Sequence, residues 1–292
     1  MKNNIKNMLI LLRPHQYIKN VFIFMPLFFV GQITDVETIL NAVVAFIAFS
    51  ISASAIYILN DYKDIEEDRQ HPKKKYRPLA SGAVSPKIAI ALMIMLLVVG
   101  VSLMEILSFQ AFCVLCIYII INFSYSFYLK HIAILDITIV AIGFVLRLFV
   151  GSAVTEVPLS MWIIIMTYLL ALFLALAKRR EEVMLFISLG KTTRKVISGY
   201  NLQLIDSAMT IMASVVIVAY ILYATSSEIP ERMHAEYLYL TALFVILGVL
   251  RYLQITLVEN NSGSPTNILI KDKFLQVTVL LWISSFVYII YL

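Results

Sequence analysis

The chain has 292 residues, of which 61% are hydrophobic and 14% charged, with a formal net charge of +5. Mean hydropathy is +0.90. Soluble domains carry about 25% charged residues, so this composition excludes an ordinary soluble globular protein and points to an integral membrane one. The positive charge is not the footprint of a nucleic-acid binder, because its placement follows the apolar segments.

In chain order, residues 5–13 form a basic amphipathic stretch, expected to lie at the membrane interface before the first span. The next apolar run is punctuated by Arg13, His15 and Lys19 and lacks a small-x-small cleavage pattern. It is therefore expected to stay in the mature protein as a span. Apolar runs predict nine spans, at about 16–33, 37–59, 86–106, 109–128, 132–154, 158–177, 203–225, 235–257 and 273–291. Most are near 20 residues, enough for about 30 Å of hydrocarbon. They continue to the last residues, so a single polytopic all-α domain over 1–292 is expected. With nine spans, 20 of the 23 Lys and Arg residues fall in the N-terminal segment and the loops after spans 2, 4, 6 and 8. The other side keeps Arg232, while Arg147 and Arg251 lie within spans. The positive-inside rule then puts the N-terminus and the long polar loops in the cytoplasm, in the cell (inner) membrane. No internal repeat stands out.

The string Asn60-Asp61-Tyr62-Lys63-Asp64-Ile65-Glu66-Glu67-Asp68 closes the second span. On a continuing helix, Asp61, Asp64 and Asp68 stand at i, i+3 and i+7, and Asn60 and Asp64 at i, i+4, so all four share a face. Carboxylates gathered so closely repel unless a cation neutralises them, and carboxylate oxygens with water and phosphate are the usual Mg²⁺ environment. A solvated charged helix end is the alternative. Lys73, Lys74, Lys75 and Arg77 follow, before Pro78 and Gly82. Beside the aspartates they suit a phosphate held between Mg²⁺ and cations; alone they would be a topology signal or a site for anionic lipids.

A second cluster, Lys178-Arg179-Arg180-Glu181-Glu182, closes the sixth run, with Tyr200 and Asp206 at the mouth of the seventh. It reads either as topogenic charge with a helical ion pair or as part of a site. Asp136 and Arg147 both belong to the fifth run, about 16 Å apart on a straight helix, so each needs its own partner. Ionisable groups within spans mark function by default, with a structural pair or a snorkelling arginine as the alternative. Arg13 and Lys19 are either interface anchors or further phosphate ligands. Arg251 has too little context for a role. Cys113 and Cys116 form a CxxC inside an apolar run, which suits helix packing rather than redox or metal chemistry.

These residues resemble the UbiA superfamily of intramembrane prenyltransferases. The match is Asn60-Asp61-x-x-Asp64-x-x-x-Asp68 after the second of nine helices, with a second motif after helix 6. Within the superfamily the chain is most similar to the decaprenyl-phosphate phosphoribosyltransferase branch, through RPHQYIKN (13–20), NDYKDIEEDRQHPKKKYRPLASG (60–82), YSFYLK (125–130), LDI (135–137), GFVLR (143–147) and LAKRREE (176–182). The resemblance implies a nine-helix UbiA-like bundle with cytoplasmic active-site loops. It implies Mg²⁺-dependent transfer of 5-phosphoribosyl from phosphoribosyl diphosphate to a polyprenyl phosphate among membrane lipids, in a chain that is able to assemble as a homo-oligomer. Asn60, Asp61, Asp64 and Asp68 would hold the metal. Lys74, Lys75 and Arg77 would hold phosphates, with Arg13, Lys19, Lys130 and Arg147 toward the acceptor. Lys178, Arg179 and Glu182 would orient the ribose phosphate or hydroxyls, and Asn122, Tyr125, Asp136, Tyr200 and Asp206 would complete the substrate site. Aromatic prenyltransferases of the superfamily carry a second acidic motif where this chain has KRREE. That departure favours a phosphoribosyl donor over a prenyl diphosphate, the principal alternative. A lipid-phosphate transporter is the other, and would place its charges near mid-membrane in paired repeats.

Overall fold

The computed structural model describes residues 2–32, 34–70, 74–189, 195–226, 237–261 and 265–291. Among them every regular element is helical. In order they are α1 (Lys2–Leu12), a 3₁₀ stretch (Pro14–Phe24) running into α2 (Met25–Val30), α3 (Val36–Lys63), α4 (Ile65–Gln70), a 3₁₀ turn (Lys74–Tyr76), α5 (Pro86–Leu107), α6 (Phe109–Phe127), a 3₁₀ turn (Leu129–His131), α7 (Leu135–Thr155) and α8 (Met161–Leu189). There follow a 3₁₀ turn (Lys195–Gly199), α9 (Leu202–Thr225), a 3₁₀ turn (Leu238–Thr241), α10 (Ala242–Leu253), a π-helical turn (Gln254–Val258), α11 (Pro265–Lys271) and α12 (Lys273–Tyr291). Lipid offers no partner for a free peptide group, so long apolar segments close their hydrogen bonds internally as helices. Polar caps set the ends. Asp35 accepts from the Thr38 amide at 3.1 Å to start α3. Ser85 caps α5 ahead of Pro86, Ser108 caps α6, and Asn201 caps α9.

Eight helical segments among the described residues are long and apolar enough to cross a membrane, and the protein is a multi-pass membrane protein. They coincide with the second to ninth expected runs. The first run, 16–33, differs. From Pro14 the chain makes eleven residues of 3₁₀ helix and then, with Pro26 in its first turn, six of α-helix, so no single helix there reaches spanning length. The sixth run was expected to end near 177, yet α8 runs on to Leu189. KRREE therefore sits on a helix rather than in a loop. The basic residues expected at 73, 191 and 194, and the outward loop with Arg232, lie outside the described residues.

The chain forms two compact units, 1–130 with 143–159 and 131–142 with 160–292; α7 begins in the second and ends in the first. In the first unit α3 packs chiefly on α5. Its buried face is small (Ala42, Ala45, Ala48, Ser52, Ala55), which lets the backbones approach. Gly151 of α7 lies against the 3₁₀ stretch, where an added Cβ would stand 2.1 Å from the Ile23 carbonyl oxygen. At the end of α3, Ile58 is buried with Leu11, Leu79, Val84 and Ala89. In the second unit α8 packs on α9, around Phe173, Leu176, Ile205, Met209, Tyr252 and Ile255.

Candidate functional site

The acidic string remains helical through its kink. The Asp64 amide bonds Asn60 O at 3.0 Å and the Asp68 amide bonds Asp64 O at 2.8 Å, joining α3 to α4. Asp61 and Asp68, seven residues apart, return to the same side and are buried. Each meets cations of the same unit. Arg77 Nη1 lies 2.9 Å from Asp61 Oδ1 and 2.7 Å from Asp68 Oδ2. Arg13 pairs with the same Asp61 oxygen, and Lys130 pairs with the half-buried Asp64. Three carboxylates thus stand against three cations drawn from three other parts of the sequence.

Local structure explains how each cation arrives. Pro14 stops α1 at Leu12 and leaves Arg13 at φ 54°, in the left-handed region. The guanidinium then lies against Asp61, with its carbon 5.3 Å from the Tyr57 ring centre. Arg77 stands on a turn in which Ser81 N bonds Arg77 O at 2.9 Å and Val84 N bonds Pro78 O at 3.0 Å. Leu79 and Val84 plug that turn into the hydrophobic cluster. Gly82 closes it at φ 76°. Lys130 lies on the 3₁₀ turn after α6.

Oxygen donors from Asn60, Asp61, Asp64 and Asp68 suit a hard cation such as Mg²⁺ in kind. Here the carboxylates are neutralised by the chain itself, and no three Asp, Glu, His or Cys groups among the described residues form a metal cage.

Deeper in the first unit a polar ladder ties the 3₁₀ stretch to α3. Tyr17 and Ser54 hydroxyls meet at 2.9 Å, and Asn20 Nδ2 donates to Ser50 Oγ at 2.8 Å. Arg147 Nε donates to Asn20 Oδ1 at 2.8 Å and Nη1 to Gly143 O at 2.5 Å. Its guanidinium carbon stands 4.8, 5.2 and 5.4 Å from the ring centres of Phe49, Tyr118 and Phe144. Ser50 is eleven residues along α3 from Asp61, about 16 Å. Arg147 is therefore buried apart from the acidic cluster, held by neutral acceptors and ring faces. Neutral acceptors and ring faces hold a buried guanidinium at moderate cost.

In the second unit the basic motif separates into two buried anchors. Arg179 Nε donates to Asp136 Oδ2 at 2.6 Å, and Nη1 pairs with Glu182. The Tyr200 hydroxyl donates to Asp136 Oδ1 at 2.6 Å and accepts from the Ile134 amide at 2.7 Å. Ile134 has φ 73°, a strained backbone for a β-branched residue. Burial, with the Asp136 bond, raises the Tyr200 hydroxyl pKa well above its ordinary value. Arg180 binds Asp206 at 2.8 Å, Thr256 O at 2.8 Å and Asn260 Oδ1 at 3.0 Å, fixing the π-helical turn to α8 and α9. Asp136 and Arg147 do find separate partners, as their spacing requires. Lys178 is exposed.

Of the other expected site residues, Lys19, Asn60, Lys74 and Tyr125 are half-buried and Lys75 is exposed, its ammonium 5.1 Å from the Tyr76 ring centre. Asn122 donates to the Tyr118 carbonyl of its own helix at 2.8 Å. Arg251 pairs with Asp272 at 2.7 Å and Glu259 at 2.9 Å. Residues not anticipated are Tyr17, Asn20, Ser50, Ser54, Tyr57, Thr256 and Asn260. Their polarity inside or beside apolar runs was the available signal; nothing in it named their partners.

Fold and site together define a polytopic all-helical membrane protein with an acidic cluster and matched cations at the end of its α3 helix. The UbiA prenyltransferase family matches residues 21–268, and the chain belongs to that family. Over 97% of its length it is 32% identical to a decaprenyl-phosphate phosphoribosyltransferase of Mycolicibacterium smegmatis, covering 92% of that protein. Over its full length it is 30% identical to one of Corynebacterium glutamicum, covering 89% of it. A UbiA homologue from Archaeoglobus fulgidus, solved bound to GPP and Mg²⁺, superposes with a TM-score of 0.74 at 18% identity, over 98% of this chain and 100% of that one. The latter shares the fold.

Proposed function

We propose that the protein transfers 5-phosphoribosyl from phosphoribosyl diphosphate to a polyprenyl phosphate, releasing diphosphate. The observation that carries this reading is the near-full-length similarity to relatives named for that reaction. The cluster of Asp61, Asp64 and Asp68 with Arg13, Arg77 and Lys130 supports it, since both substrates are anionic. So does KRREE, in the place where prenyl transfer to an aromatic acceptor would call for a second acidic motif.

In the mechanism, an oxygen of the polyprenyl phosphate attacks C1 of the ribose and the bond from C1 to the diphosphate oxygen breaks. A phosphate monoester is already nucleophilic at neutral pH, so positioning and leaving-group stabilisation are what the protein supplies. Asn60, Asp61, Asp64 and Asp68 are the residues that would hold Mg²⁺, which when bound offsets charge on the departing diphosphate. Arg13, Arg77 and Lys130 donate to phosphate oxygens, and Lys74 and Lys75 add to the positive field that draws both substrates. The prenyl tail stays among apolar helices and lipid.

The membrane arrangement follows the same reading. Residues 14–30 give roughly 31 Å from eleven residues of 3₁₀ helix at about 2.0 Å and six of α-helix at about 1.5 Å. That crosses about 30 Å of hydrocarbon and makes nine spans. Charge asymmetry then turns the acidic cluster to the cytoplasm of the inner membrane, where a soluble diphosphate substrate is met.

The test uses purified protein in detergent with Mg²⁺, polyprenyl phosphate and radiolabelled phosphoribosyl diphosphate. Label should enter the lipid fraction. Label remaining aqueous while a prenyl diphosphate is consumed would overturn the reading in favour of prenyl transfer.

A further inference from the structure

Arg77 holds an unusual place among the three cations. One nitrogen, Nη1, bonds both Asp61 Oδ1 at 2.9 Å and Asp68 Oδ2 at 2.7 Å. The two carboxylates are 2% and 3% exposed, and the Arg77 side chain is 27% exposed. The acids are fixed by helices α3 and α4, and the cation comes from a turn closed by Gly82. The fixed part is therefore the acidic pair, and the part with room to move is the guanidinium. Asp61 is doubly engaged, since Arg13 pairs with the same oxygen.

We propose that Arg77 is a placeholder cation. It neutralises Asp61 and Asp68 until a divalent metal arrives with a diphosphate, and then exchanges its carboxylate bonds for phosphate oxygens. This rests on reading the acidic cluster as a metal–diphosphate site. The physical reasoning concerns what each ligand meets alone. A metal alone must evict a guanidinium that then has no anion to take. A diphosphate alone meets three carboxylates and finds Arg77 already bonded. Together the two ligands swap partners, so every charge stays paired and buried carboxylates are never left bare. The consequence is positive coupling between metal and diphosphate, reciprocal by linkage.

The experiment measures Mn²⁺ binding to the purified full chain in detergent from the free-ion paramagnetic resonance signal. It is run with and without inorganic diphosphate, and corrected for the metal–diphosphate complex in solution. The wild-type chain should bind Mn²⁺ weakly alone and about tenfold or more tightly with diphosphate, within the usual range for coupled sites. Arg77→Gln removes the placeholder, and should bind Mn²⁺ alone roughly fivefold more tightly than wild type while losing most of the coupling. Arg77→Lys keeps a cation and should stay closer to wild type. Absence of coupling in the wild-type chain overturns the proposal whether or not the variants fold. So does an Arg77→Gln chain that is monodisperse yet binds Mn²⁺ alone no better than wild type. Neither phosphoribosyl diphosphate nor polyprenyl phosphate is used, so a failed phosphoribosyl transfer assay and a failed exchange are separate results.

Discussion

Asp136→Asn tests whether the basic motif of α8 is a structural anchor. Asp136 is fully buried, and both of its oxygens are engaged, by Arg179 Nε and by the Tyr200 hydroxyl, each at 2.6 Å. The substitution keeps the shape, removes the charge, and turns an amide donor toward one of two donors. Removing one partner of a buried pair costs about 3–5 kcal/mol. Glu182 still pairs with Arg179, which puts the expected loss at the low end, ~3 kcal/mol, or roughly a hundredfold in the folded-to-unfolded ratio. Tyr200→Phe should cost less, about 1–3 kcal/mol, because it leaves the Ile134 amide and one Asp136 oxygen short of a partner. Thermal unfolding in detergent, followed as loss of the monodisperse peak, reads both. An Asp136→Asn chain as heat-stable as wild type, with only its substrate KM raised, would refute the reasoning and return Arg179 to the role of a substrate ligand.

Asp64→Asn should lower metal-dependent turnover by about 10²–10³, the scale for losing one electrostatic contact to a transition state, while membrane insertion stays intact; near-normal rates would remove Asp64 from the mechanism. Gly151→Ala places a Cβ 2.1 Å from the Ile23 carbonyl oxygen and should destabilise by about 1–3 kcal/mol, read as a lower unfolding midpoint. Asp272 has its pKa lowered by the Arg251 hydrogen bond first, and further by the Leu275 amide. A depressed folded pKa stabilises above the unfolded value and is lost as pH falls through the folded one. The unfolding midpoint should therefore drop below about pH 4, and Asp272→Asn should remove that part of the acid sensitivity.

What was legible in the sequence follows from the range of the forces involved. The eight long helices were readable because lipid penalises every exposed peptide group, and twenty apolar residues in a row leave a helix as the one local solution. Asp61, Asp64 and Asp68 were readable because helical spacing is local. The form of the first run was not readable, since hydropathy counts residues and takes no account of Pro14 and Pro26, which accompany a 3₁₀ stretch and a short α-helix there in place of one long helix. Partners were not readable either, because they depend on which helices meet. The pairing of Lys130 with Asp64 joins residues 66 apart, and that of Arg147 with Asn20 joins residues 127 apart. The clearest case is Lys178-Arg179-Arg180. As a string it is one patch of charge. On α8, successive residues turn by about 100°, which sends the buried Arg179 to Asp136 and the buried Arg180 to Asp206, while the Lys178 side chain is exposed. Charge in the sequence marked where cations are needed. The tertiary arrangement decided which carboxylate each of them meets: Arg179 and Arg180 are held in the second unit, and Arg13, Arg77 and Lys130 against the aspartates at the end of α3.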